Sequence, residues 1–398
     1  MGIVSGNRDH SPPKTTFLQQ QSASFQLAVA CCTWPLDMPR VERLADAQAD
    51  WSEFLAMVKR HRIPGLAYRA LKLVRGIPEE VRQALSTKAH TSILGNLRCI
   101  ALLSQLDTQF KSRGISYAVL KGIPLSQQLY GEPSLRQTRD IDLLVAPRDF
   151  EAAENILSQA GLRRKEPEGE LTPQLRRLWF DLRHHFSYVY PQHGITLELH
   201  WRLFDNSAID PGPCVFQELD RVEVSRGISL PVLRREYLLS HLIVHGASHA
   251  WCRLKWLSDV AALLADYSAN DRNHLLQQAR DQGVEPAFRQ AIAVCESLEL
   301  LPSYDLPPAP ASLRWLISVA LHGLLEEEPD RGYFQARHLM LSRFTLSPHL
   351  SYRLQEFKVQ VFSTDDWSMF PLPRWLTFAY PLLRVPFWII RRSRLAVR

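Results

Sequence analysis

The sequence predicts an α+β fold: a mixed sheet with helices on it, set between two helical regions. Three observations carry this reading. Apolar residues recur at helical spacing from Glu42 to Lys88 and again from Ile93 to Phe110. Between Ser116 and Leu203 the texture changes to short apolar or alternating runs. After Leu233 the helical spacing returns.

Taken in order, residues 1–24 are polar and Gln-rich without periodicity, and are expected to be unstructured. Trp51, Phe54, Leu55 and Val58 mark a helix that Ile63-Pro64-Gly65 breaks. The helix over Ile93–Phe110 ends near Gly114. Ser116–Leu120 reads as a strand, Lys121-Gly122 as a turn, and Pro124–Tyr130 as a helix with Pro in its first turn. Arg139–Val145 alternates and reads as a strand, Phe150–Ala160 as a helix closed by Gly161. His184–Tyr190 and Ile195–Leu203 read as two strands joined at Pro191–Gly194. Tyr237–His249, Leu254–Tyr267, His274–Gln282, Glu285–Leu298 and Leu313–Leu325 are expected helices, with a Pro-rich linker over 302–310. The resulting division is 1–24, a helical region 25–98, a sheet core 99–232, a helical domain 233–345 that covers the cleft, and a basic aromatic segment 346–398.

The chain has 398 residues, enough for two or three domains, and its 46% hydrophobic and 22% charged residues exclude a mainly disordered protein. No apolar run reaches the length of a spanning helix, and the polar start lacks the apolar core of a secretory signal. Met1-Gly2 with Ser5 is followed by Gly6, which departs from the myristoylation pattern. Six cysteines (Cys31, Cys32, Cys99, Cys214, Cys252, Cys295) form no C-x-x-C, which points to a reducing compartment and leaves zinc-ribbon and thioredoxin-type readings without a basis. A cytoplasmic location is expected.

The net charge is +6, and residues 371–398 contain six Arg and no acid, so the rest of the chain is neutral. A neutral body disfavours long nucleic acid as a partner. The tail mixes those arginines with aromatic residues. It reads either as a peripheral contact with an anionic membrane or as a segment packed on the helical domain.

The chemistry gathers in three places. Asp140 and Asp142 lie two apart on an expected strand, so both carboxylates share a face while Ile141 and Leu143 bury. Two such carboxylates repel unless a cation sits between them, and Mg²⁺ is the usual choice beside phosphates. Glu198 alternates with buried residues in Leu197-Glu198-Leu199-His200 and shares a face with His200. If this strand neighbours the first, three carboxylates converge in an arrangement suited to two-metal catalysis. Lys121-Gly122 sits between strand and helix, where Gly allows close backbone approach to a phosphate and Lys adds a point charge.

Leu120-Lys121-Gly122, Arg139-Asp140-Ile141-Asp142-Leu143-Leu144-Val145 and Leu197-Glu198-Leu199-His200-Trp201 together resemble the uncharacterised bacterial nucleotidyltransferase family of the DNA polymerase β-like superfamily. His245-Gly246, His249, Trp251 and Leu254–Asp259 extend the resemblance, which spans about residues 50 to 300. It implies a polymerase β-like nucleotidyltransferase core. Asp140 and Asp142 would bind two Mg²⁺ ions (Mn²⁺ as the alternative), and Glu198 the one that activates the acceptor. Lys121, Gly122, Arg139 and Lys255 become the candidate nucleotide-binding residues. The phosphate turn departs from the superfamily's Gly-Ser or Gly-Gly, since Ile123 brings no hydroxyl.

His241, His245 and His249 fall on one helical face. They read either as a metal or phosphate site or as a polar face lining the cleft. With His200 and Arg253, His245 and His249 are the candidate cleft-lining residues. Lys255 either meets phosphate or pairs with Asp259 four residues on. The expected activity is Mg²⁺-dependent transfer of NMP from an NTP donor to a small-molecule, peptide or protein acceptor, with release of pyrophosphate. Two alternatives remain open: a D-x-D glycosyltransferase, against which the short 114–139 interval counts, and a non-catalytic nucleotide-binding adaptor.

Overall fold

A computed structural model of the chain describes residues 16–48, 50–138, 140–265, 267–325 and 333–362, with six further positions at 376, 379, 380, 382, 383 and 386. The chain opens with α1 (Ala23–Ala30), α2 (Met38–Asp46), α3 (Trp51–His61), α4 (Pro64–Leu71) and the long α5 (Glu79–Ser112). The first three helices each start on a side-chain cap. Ser22 accepts from the Phe25 N–H, Asp37 from Arg40 and Asp50 from Glu53. The sheet region follows: β1 (Tyr117–Val119), α6 (Ile123–Tyr130), β2 (Asp140–Val145), α7 (Phe150–Gln159), β3 (Arg163–Glu166), α8 (Pro173–Leu182), β4 (His185–Tyr190), β5 (Ile195–His200), β6 (Leu219–Ser225) and β7 (Ile228–Leu233). The rest is helical: α9 (Arg235–Ser248), α10 (Leu254–Leu264), α11 (Ala269–Asp281), α12 (Glu285–Ser297), α13 (Ala311–Leu325), α14 (Tyr333–Arg343) and α15 (Leu350–Val361).

The strands form one mixed sheet in the order β3-β4-β5-β2-β1-β7-β6. β2 runs parallel to β5 and β1 parallel to β7; the other pairs are antiparallel. Strand alternation gives the sheet two unlike faces. Ile141, Leu143 and Val145 of β2, Leu197 and Leu199 of β5, and Phe186 and Tyr188 of β4 share one apolar core with Leu102, Leu106 and Phe110 of α5, Ile156 of α7 and Trp179 of α8. Aromatic rings lock this core. Phe150 meets Phe186 edge-on at 5.4 Å and Trp201 at 5.1 Å, while Phe180 stacks on Trp201 at 4.2 Å. Such pairs contribute about 0.5–1.5 kcal/mol each beyond their buried area. The opposite face carries the polar alternates of the same strands.

The mixed α+β class read from the sequence is the one found. Its internal boundaries differ. The expected break between residues 98 and 99 falls inside α5, a single helix of 34 residues. Val81 and Leu85 at its start belong to one core and Leu102, Leu106 and Phe110 to the other, so one rod bridges both. The helical regions expected over 25–98 and 233–345 are one packed body with a common core. Ser258 Oγ donates to the Cys32 carbonyl (3.0 Å), the Leu254 N–H to His61 Nδ1 (3.2 Å), and Arg60 to the carbonyls of Leu324 and Leu325 (2.6 and 2.9 Å).

Within the segment expected to be unstructured, residues 16–24 carry a short 3-10 turn over Leu18–Gln20 and the start of α1, anchored by the buried Leu18. The strand expected over Ile195–Leu203 ends at His200, with Trp201 continuing the alternation into the aromatic core. The sequence reading did not foresee β3, α8 or the β6–β7 hairpin. Pro231 inside β7 hides that strand, since Pro removes a ladder donor. Among the described residues no helix is long and apolar enough to cross a membrane. Most of 371–398, and with it the expected membrane contact, lies outside the described residues.

Candidate active site

The parallel pairing of β2 with β5 puts Asp140 opposite Thr196 and Asp142 opposite Glu198. The antiparallel pairing of β5 with β4 then puts His200 opposite His185. Opposed residues share a face, so Asp140, Asp142, Glu198, His200 and His185 all rise from the polar side of the sheet. The Leu120 N–H donates to the Asp142 carbonyl (3.0 Å), which holds the chain after β1 against β2. Lys121 therefore reaches the carboxylates, with Nζ 3.1 Å from Asp142 Oδ1. His200 Nε2 lies 3.5 Å from the same oxygen and 3.4 Å from Glu198 Oε2.

Asp142 is 1% exposed. Burial alone would raise its carboxyl, but the Lys121 ammonium and the His200 ring outweigh that and hold it well below the usual carboxylate range. Burial would lower Lys121, yet Asp142, Asp140 and Glu198 keep it raised and charged. His200 follows the same logic: burial lowers it, and its bonds to Asp142 and Glu198 raise it further. Among the described residues Asp140 has no such cation at contact distance. Burial and the neighbouring Asp142 raise its carboxyl, with Lys121 opposing.

These groups line a cleft of about 490 Å³ between the sheet and α9–α10, closed at one end by α14 and α15. Seven Lys or Arg line it with five carboxylates, but Arg136 is paired with Asp259 and burial lowers the Lys255 ammonium, so the lining is mixed in charge rather than cationic. The expected histidine face exists and points inward. Ring centroids of His241 and His245 are 6.1 Å apart, those of His245 and His249 4.9 Å, and Trp256 packs against the last two. His241 is 2% exposed, and neither ring nitrogen has a hydrogen-bond partner among the described residues. Burial, reinforced by the Lys121 charge, pushes His241 and His245 well below the ordinary histidine value.

Of the residues expected from the sequence, the cleft gathers Lys121, Asp140, Asp142, Glu198, His200, His245, His249, Arg253 and Lys255. Gly122 is not on its lining. It sits at φ 78° and ψ −131°, a backbone region closed to L-residues, and an added Cβ would come 3.2 Å from Thr138 Cγ2. Its part is to turn the chain so that Lys121 faces inward. Arg139 lies outside the described residues. Arg253 donates to the Arg60 carbonyl. Lys255 donates to the Gln137 carbonyl (3.2 Å), and burial, with Arg136 nearby, lowers its ammonium well below the ordinary lysine value. The Lys255–Asp259 pair does not form. Asp259 is fully buried and takes Arg136 Nε at 2.8 Å and the Tyr130 hydroxyl at 3.1 Å instead.

The sequence reading missed His184, His185 and Asp205, which also line the cleft. The doubled histidine at the head of an expected strand was the available signal. Asp205 lay in a segment without a pattern.

The donor chemistry fits a divalent cation. Asp142, Glu198 and His200 each bring one ligand atom, all within 4.8 Å of one another. Asp140 lies outside that trio but on the same face and cleft. Carboxylate oxygens on a rigid strand pair are the donors Mg²⁺ or Mn²⁺ takes.

No curated protein matches the sequence. A family profile does, over residues 47–298, an interval that contains the sheet, the carboxylates and the histidine face. The chain belongs to the family described as uncharacterised nucleotidyltransferase.

Proposed function

We propose that the protein transfers NMP from an NTP to a hydroxyl or phosphate oxygen of a small-molecule, peptide or protein acceptor, releasing pyrophosphate. The observation that carries this is the cross-strand pair Asp142–Glu198 beside Lys121 in a polar cleft that Asp140 also lines. In the reaction the acceptor oxygen attacks the α-phosphorus, the α–β bridging P–O bond breaks, and the electron pair leaves with pyrophosphate.

Asp140, Asp142 and Glu198 would hold Mg²⁺, two ions in the full site, with Mn²⁺ as the alternative. When bound, such ions neutralise the phosphates and lower the pKa of the acceptor hydroxyl. The protein's own groups do the rest. Lys121 stays charged beside Asp142 and offers an ammonium to the phosphates. Glu198 is 24% exposed at its side chain and faces the cleft, where it takes the acceptor proton. Trp256 and the neutral histidines of α9 wall off water above the carboxylates. The cleft volume suits a mononucleotide with part of an acceptor.

The test is calorimetric titration of each NTP with Mg²⁺ into the intact protein and into Asp140→Ala/Asp142→Ala. Binding of one NTP that the double variant loses supports the reading and names the donor. Equal binding by both proteins transfers support to the nucleotide-binding adaptor reading, and none by either overturns the assignment of the carboxylates to a metal–nucleotide site.

A further inference from the structure

A second cluster of ligating atoms adjoins the carboxylates on the same face of the sheet. His184, His185 and His200 each place one ring nitrogen within 4.8 Å of the others'. We propose that these three imidazoles form a binding site for one borderline transition-metal ion of the Zn²⁺ or Co²⁺ class, adjoining the carboxylate site and sharing His200 with it.

The local fold explains why neighbouring histidines converge. Successive residues of a strand point to opposite faces. Here β4 begins only at His185, and His184 sits in the turn after α8. The Trp201 N–H donates to the His184 carbonyl (2.9 Å), which fixes that turn beside the end of β5. His184 is thereby freed from strand alternation. Its ring lies 4.7 Å from that of His185 and 4.9 Å from that of His200.

Asp205 completes the geometry. Its Oδ1 lies 2.5 Å from His184 Nδ1, so that ring donates its Nδ1 proton and turns Nε2 to the cluster. A carboxylate behind a ligating histidine fixes the tautomer and makes the ring a stronger donor. His184 Nε2 accepts a hydrogen bond from His185 Nδ1 at 3.4 Å, so the two ring nitrogens already meet, and a metal ion between them would displace the shared proton. His200 Nδ1 is buried with no hydrogen-bond partner among the described residues.

Nitrogen donors select the class of ion. Imidazoles prefer Zn²⁺, Co²⁺, Ni²⁺ or Cu²⁺, whereas Mg²⁺ prefers oxygens and stays with the carboxylates. Three protein ligands with side chains of His184 and His185 still 20% and 27% exposed leave a position open to the cleft, as exchangeable sites do. Glu198 is shared between the two regions, with Oε1 3.8 Å from His185 Nε2. The site rests on this geometry and does not depend on which nucleotide, if any, the protein uses.

The experiment is a Co²⁺ titration of the full chain in excess Mg²⁺, read by the visible d–d absorption of the bound ion and by calorimetry, with no nucleotide present. The expected result is one equivalent of Co²⁺ with a nitrogen-ligand spectrum, lost in His184→Ala/His185→Ala. Asp205→Asn should keep the spectrum and weaken binding about ten- to a hundredfold, as removal of a supporting hydrogen bond does. Circular dichroism of the metal-free variants checks folding, and if the double variant unfolds, Asp205→Asn decides. No Co²⁺ spectrum in the native protein overturns the proposal. So does an undiminished one in a folded double variant, or unchanged affinity in Asp205→Asn.

Discussion

Asp142 and Glu198 are direct cross-strand partners on the parallel β2–β5 pair, and Lys121 is the ammonium that holds the first of them ionised. With Asp140 on the same face, three carboxylates meet one lysine and one histidine. Lys121→Met therefore leaves Asp142 with His200 as its remaining ionic contact among the described residues. Urea unfolding in the presence of a chelator should show a loss on the order of 2–3 kcal/mol, below the roughly 3–5 kcal/mol of a buried pair whose remaining charge has no other partner. Saturating Mg²⁺ should return part of that loss, because a cation then replaces the missing ammonium. A variant as stable as the native protein without metal would remove Lys121 from the electrostatics of the site.

Arg136 and Asp259 form the buried ion pair that fixes the segment after α6 onto α10. The two side chains are 4% and 0% exposed, and Tyr130 adds a second hydrogen bond to the carboxylate. Asp259→Ala strips a buried guanidinium of its partner and should cost about 3–5 kcal/mol. Tyr130→Phe removes one neutral donor and should cost about 1 kcal/mol. Paired unfolding curves of the two variants measure the difference. Equal losses would mean that the charge of Asp259 contributes nothing beyond its hydrogen bonds.

Stability should fall as the pH drops below neutrality. His61, His185, His241 and His245 are all pushed well below the ordinary histidine value, by burial first and by neighbouring charges second. Each stays neutral in the folded protein while the unfolded chain takes up a proton near pH ~6.5. The unfolded state then binds more protons, so each group contributes up to about 1.4 kcal/mol per pH unit of lost stability on acidification below that point. His200 works the other way. Its folded value is raised, so its contribution is complete below the unfolded value and fades as the pH rises through the folded one. Four groups against one leave a net loss on acidification. Unfolding free energies at about pH 7.5, 6.5 and 5.5 should show it, and His241→Leu should reduce the slope by about one proton.

The sequence made the chemistry more legible than the architecture. Asp140, Asp142 and Glu198 could be placed on shared faces because strand alternation has a fixed period, and the parallel β2–β5 pairing then brought them together. Lys121 was legible as the residue at a strand-to-helix turn. Long-range pairing was not. No local pattern announces that Asp259 would choose Arg136 over Lys255, its neighbour on the same helix. The fusion of the two helical regions into one core was hidden for the same reason, since contacts such as Ser258 with Cys32 join distant segments. The β6–β7 hairpin was obscured by Pro231, and Asp205 by the absence of any periodic frame around it.

Gly246 offers a test of how tightly the histidine face is set. It lies on α9 between His245 and His249, and the ring of Trp251, fully buried, packs directly over it. A Cβ on residue 246 would come 2.2 Å from Trp251 Cζ3, far inside contact distance. The Trp251 ring is boxed in by the core, and its indole N–H donates to Gln290 Oε1 at 3.2 Å. Gly246→Ala must therefore displace either the ring or the end of α9. The better helix propensity of Ala offsets at most about 1 kcal/mol of that strain. Overpacking of this kind costs about 1–3 kcal/mol, and the clash here belongs at the upper end. Because His245 and His249 flank the site, the displacement also moves the wall of the cleft. The variant should melt several degrees lower and bind nucleotide more weakly even though residue 246 does not line the cleft. Unchanged melting would mean that α9 and Trp251 can part without loss, and that the inward set of the histidines does not depend on this contact.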